Sequence, residues 1–123
     1  MGLEVTRYIP DTHQAWVKWN DEARFKLAYV GTDEVEAVLL DKAQRSSLQS
    51  KNAAPADRAK MMIEYLAEAV VLDWEGVTKD GEDLECTKEN VIDVLTKAKE
   101  IRDWVHSEAS KVTNFKEYED LKN

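Results

Sequence analysis

Val71-Leu72-Asp73-Trp74-Glu75-Gly76-Val77 is the stretch on which the fold turns. Met61, Met62, Ile63, Tyr65, Leu66, Ala69 and Val70 precede it; Lys79-Asp80-Gly81-Glu82 and Thr87-Lys88-Glu89-Asn90 follow. A helix drawn through 57–74 is apolar around most of its circumference, with Lys60, Glu64 and Glu68 as a narrow polar stripe at i, i+4 and i+8. Such a helix belongs at the buried centre of a domain. The reading is a central helix opened by Pro55-Ala56-Asp57 and ended at Trp74, with Gly76 in a left-handed cap conformation. Trp74 is expected to be buried at the corner, and Gly81 to complete an Asp-Gly turn. Trp74, Gly76 and Gly81 together form the expected structural hinge, after which Thr87 caps the next helix.

Toward the N-terminus the period changes from helical to alternating. Ala15 to Trp19 and Arg24 to Val30 read as strands, the second with Phe25, Leu27 and Tyr29 on one face. Asn20-Asp21-Glu22 is the loop of that hairpin, and Gly31 closes it. A lone hairpin is marginal in water, so this one must lie on helices or pair with another chain. Thr32-Asp33-Glu34-Val35-Glu36 then opens a helix, with Asp33 read as N-cap and Glu36 reaching back to it. Val35, Val38, Leu39 and Ala43 are its apolar stripe, and the Ser-rich run from Gln44 to Ala54 reads as a mobile loop.

Toward the C-terminus, Val91, Ile92, Leu95 and Ala98 share one helix side, and Ile101, Trp104, Val105, Ala109 and Val112 continue at helical spacing. These residues form one long helix or two joined at a kink near Lys99. The whole is one mainly α, α+β domain: an N-terminal segment and hairpin (1–31), a core of about four helices (32–112) and a charged tail (113–123).

The 123 residues, 43% hydrophobic and 34% charged, suit a folded helix-rich protein with a single core. A net charge of −8 repels phosphate backbones and anionic lipid, arguing against nucleic-acid and membrane partners. The longest apolar run, Ala69 to Leu72, is far short of the roughly 20 residues of a membrane span. The N-terminus lacks a signal-peptide pattern, and Met1-Gly2 with Thr6 fits only the loose myristoylation motif. The single Cys86 forms no internal disulfide and suits a reducing cytoplasm.

Sites of chemistry are not evident. His13 and His106 stand far apart, and one Cys cannot supply a zinc pattern. Centring an EF-hand on Gly81 puts Gly76 at the first ligand position and Thr87 at the last, so the calcium template fails. Cys86 lies just before a helix N-cap, where thiolates gain stability, yet it reads better as a small, partly buried residue. No catalytic residue, metal or cofactor is therefore expected.

The helix ending in Trp74-Glu75-Gly76, the Asp80-Gly81 turn, the Thr87-Lys88-Glu89-Asn90 helix start and a last helix ending near Asn114-Phe115 resemble one family pattern. It is that of the small tail assembly chaperones of long-tailed bacteriophages and their prophage relatives. The resemblance covers roughly 58–115; the usual Pro between the last two helices is replaced by Lys97-Ala98-Lys99. It implies a non-enzymatic protein of the host cytoplasm, absent from the finished virion. Such a protein binds the tape measure protein, keeps it soluble and helps tail tube protein subunits gather around it. The alternatives are another prophage structural or adaptor part, of head–tail connector or tail terminator type, and a small enzyme regulator.

The residues themselves suggest where a partner would bind. The hairpin edge with Trp16 and Trp19, and a C-terminal stripe of Trp104, Phe115, Tyr118 and Leu121, have few obvious partners in so short a chain. Exposed apolar surface of that kind marks a binding site. Self-association into a homo-oligomer is expected from the same surfaces.

Overall fold

The computed structural model describes residues 13–45 and 55–115. Residues 46–54 of the Ser-rich run, Met1-Gly2, Tyr118 and Leu121 lie outside the described residues; Gln44 and Arg45, expected in that loop, are helical.

The hairpin forms as its alternation dictates. Strand β1 (Gln14–Lys18) pairs antiparallel with β2 (Arg24–Ala28), with Trp16 opposite Lys26 and Val17 opposite Phe25. The Asn20 side chain sets the turn by accepting from the Glu22 and Ala23 amides, each at 2.8 Å. Phe25, Leu27 and Ala28 are buried.

Helix α1 (Asp33–Arg45) begins one residue earlier than the capping box suggests. The cap is Thr32, not Asp33: its hydroxyl accepts from the Val35 amide at 3.4 Å and donates to the Tyr29 carbonyl at 3.2 Å. Thr32 is only 3% exposed. A hydroxyl can donate and accept there without charge, whereas a carboxylate would be desolvated and could only accept.

The central helix differs from expectation. Helix α2 (Pro55–Tyr65) ends nine residues short of Trp74, the expected end, and gives way to a π-helical turn (Leu66–Val70). Val71 N–H donates five residues back to Leu66 C=O, and Val71 itself is already extended. Val71–Glu75 is then strand β3, antiparallel to β2, with Trp74 opposite Phe25 and Asp73 opposite Lys26. The register shifts between Lys26 and Leu27, because Leu72 is an extra residue on the β3 side. A continuous apolar run does not distinguish helix from buried strand by periodicity alone. The β-branched Val71, and the inward–outward order of Trp74 and Glu75, are what favour a strand once β2 offers an edge.

The remainder follows the sequence closely. Strands β4 (Thr78–Lys79) and β5 (Glu82–Asp83) form a minimal hairpin around Asp80 (φ 54°) and Gly81 (φ 83°). Positive φ at both central residues is the signature of a type I′ turn, which Asp-Gly favours. Thr87 caps helix α3 (Lys88–Lys97), accepting from the Asn90 amide at 3.1 Å. The two-helix alternative holds at the C-terminus: Ala98, at φ −114° and ψ 83°, separates α3 from α4 (Lys99–Ala109), and a 3₁₀ turn (Val112–Asn114) follows.

The result is an α+β fold, a three-stranded antiparallel sheet in the order β1-β2-β3 covered on one face by helices. The π turn sits in the middle, touching all four helices, β2 and β3. Leu66, Val70, Val91, Leu95, Val105 and Phe115 pack there with the inward residues of the sheet. No described helix is long and apolar enough to cross a membrane.

Candidate partner-binding groove

An aromatic cluster joins the sheet to α4. Trp104 meets Trp19 edge-on at 5.2 Å between ring centroids and Phe25 at 5.5 Å; Phe25 in turn meets Trp74 at 5.8 Å. Trp74 is 5% exposed, and its indole N–H donates to the Leu84 carbonyl at 2.6 Å. That bond ties β3 to the chain entering α3. Gly76 ends β3 at φ +79°, left-handed as expected, but it caps a strand rather than a helix.

Three of the residues expected to face a partner, Trp19, Trp104 and Phe115, make ring contacts within the fold. Trp19 and Trp104 are each half-buried, packed edge-on against the other. Phe115 is 2% exposed and packs on Tyr29 at 5.2 Å, so it is not available at the surface. Each finds its partner across the fold, in residues far away in sequence that a local pattern does not reveal. Trp16 alone of the described four points away from the core, on the outer face of the sheet. The Arg24 guanidinium lies 4.3 Å above its ring, and Arg24 Nε donates to Glu75 across the sheet at 2.7 Å. That hydrogen bond raises the pKa of Arg24 and lowers that of Glu75.

Cys86 is not an activated thiol. Burial, with the Asp73 carboxylate adding to it, pushes its pKa up to about 11, so it stays protonated near neutrality. Among the described residues no three His, Cys, Asp or Glu side chains come together as metal ligands would.

A surface groove shaped for a partner lies elsewhere among the described residues, between α2, α3 and α4. Ala56, Ala59 and Ile63 of α2 face Ile92 and Thr96 of α3 and Arg102 of α4 across a groove of about 450 Å³, with Lys60 and Glu64 completing its lining. Ala56 and Ala59 are too short to fill the space between the helices, and their spacing places both on one face with Ile63. The Thr96 hydroxyl is already satisfied, donating to the Ile92 carbonyl of its own helix at 2.6 Å. The available signal in the sequence was the small-residue pair Ala56/Ala59 one turn ahead of Ile63. That pair is easily passed over, because the larger apolar residues of the helix, Met61 to Leu72, dominate its pattern.

No curated protein and no solved structure matches the chain. A family model, that of the YdaY prophage protein, matches residues 32–123. The match begins at Thr32, the cap of α1, and takes in all four helices, the π turn and β3. With most of its length so matched, the chain belongs to the YdaY prophage protein family.

Proposed function

We propose that this prophage protein is a non-enzymatic tail assembly chaperone whose groove between α2, α3 and α4 holds an apolar helix of the tape measure protein. The groove carries the reading. It is open, mostly apolar and bordered by three helices, the setting in which an amphipathic helix buries an i, i+3, i+4 stripe. The net charge of −8 suits a holder of apolar chains, since it keeps the complex soluble. The prophage family and the likeness to tail assembly chaperones are in line with this role, which is carried out in the host cytoplasm with the tail tube protein as a further partner.

Co-expression with the tape measure protein of the same prophage tests the proposal. The tape measure protein should stay in the soluble fraction beside the wild-type chain and precipitate beside Ala59→Trp, which fills the groove without touching the core. A tape measure that precipitates equally in both cases defeats the chaperone role.

A further inference from the structure

The groove carries a sequestered cation whose counter-charge among the described residues is distant. Its charged lining residues are Lys60 and Glu64 on α2 and Arg102 on α4; Lys60 is exposed, so Arg102 is the sequestered cation of the groove. The Arg102 side chain is only 16% exposed. Among the described residues the one carboxylate within ion-pair range is Asp103, 4.0 Å from Nε. Asp103 is already held by Lys99 at 3.2 Å. A guanidinium carries five donors in a rigid fork suited to a carboxylate, and a half-sequestered one gains most from an acceptor brought to it.

We infer that Arg102 is the selectivity element of the groove: it takes a carboxylate carried by the docked helix, next to that helix's apolar stripe. The inference rests on the groove being a helix-binding site. The occupant is thus an amphipathic helix with Asp or Glu flanking its apolar stripe, rather than any apolar segment. A basic helix would meet Arg102 with like charge in a poorly hydrated place, and would be rejected.

A displayed library of 18-residue helices tests this, with Leu and Ala fixed along one stripe and Glu, Gln or Lys varied at the flanking positions. Selection on the full wild-type chain should enrich Glu over Lys at one flank by about tenfold or more, the scale of one charged hydrogen bond. Arg102→Gln should erase that preference and Arg102→Glu should invert it, while Ala59→Trp should abolish selection altogether. Circular dichroism melts confirm that each variant is folded. Selection that depends on Ala59 but shows no preference at the flanks overturns the role of Arg102 and leaves helix docking standing. Selection that Ala59→Trp does not diminish, or none at all, overturns helix docking and the inference with it.

Discussion

Gly76 approaches the hairpin loop so closely that a Cβ there would stand 1.7 Å from the carbonyl oxygen of Glu22. The obstacle is backbone, which cannot swing aside as a side chain does. Gly76 is also left-handed, at φ +79°. Gly76→Ala should therefore cost more than the roughly 1–2 kcal/mol of a left-handed L-residue, on the order of 3 kcal/mol or more. Gly81 has a similar φ, +83°, but open space around it, so Gly81→Ala should cost only about 1 kcal/mol. Urea unfolding of the two variants side by side checks the contrast; equal losses would show that the approach to Glu22 does not constrain the fold.

Trp74→Ala should destabilise the domain by about 3–5 kcal/mol, as for a large buried aromatic removed from a core. Trp74→Phe retains much of the packing against Phe25 but leaves the Leu84 carbonyl without its donor. A smaller loss of about 1–3 kcal/mol is expected from it. If thermal denaturation finds Trp74→Phe as stable as wild type, the bond to Leu84 contributes nothing.

Trp104→Glu and Phe115→Glu should unfold the protein or come close to it, not merely weaken partner binding. Each would drive a carboxylate into an aromatic or buried site, a change that costs about 3 kcal/mol or more. Near-ultraviolet circular dichroism reads the outcome directly. A variant with a native spectrum and lost binding would return these residues to the partner surface.

Alkaline pH should destabilise the fold through two groups. The Cys86 thiol is raised from 9.0 to about 11 and the Tyr65 phenol from 10.0 to about 12, both chiefly by burial. In each case the unfolded chain gives up its proton first. The stabilisation is complete below the unfolded value and is lost as pH rises, between about 9 and 11 for Cys86 and about 10 and 12 for Tyr65. Melting temperature should fall across that range, and Cys86→Ser should remove the lower part of the decline. Thiol labelling of the native protein at pH 8 should be slow beside that of the urea-unfolded chain. Fast labelling of the native state would contradict the raised thiol.

Much of the fold was legible because its signals are local. The alternation of Phe25 and Leu27, the Asp80-Gly81 turn and the Thr87 cap each depend on residues within a few positions. The end of α2 was not legible, since Ala69 to Leu72 is an unbroken apolar run that helix and strand alike can bury. What selects the strand is β2, more than forty residues upstream, whose backbone edge takes up Val71 to Glu75. The groove was hidden for a related reason: Ala59 and Arg102 meet only through the packing of α2, α3 and α4. The burial of Phe115 against Tyr29 was equally beyond local reading.

The third strand gives the family match an unexpected corollary. Residues 32–123 carry the kinship, yet β3 within them is completed by β2, which lies outside. Cut at Thr32, the chain would keep Val71 and Trp74 but lose Leu27 and Phe25, the residues opposite them. One face of its core would stand open to water, with Trp104 stripped of both ring neighbours. The segment that records descent therefore lacks two strands of the sheet on which its helices pack. In any relative lacking this hairpin, something else must supply the strand beside β3.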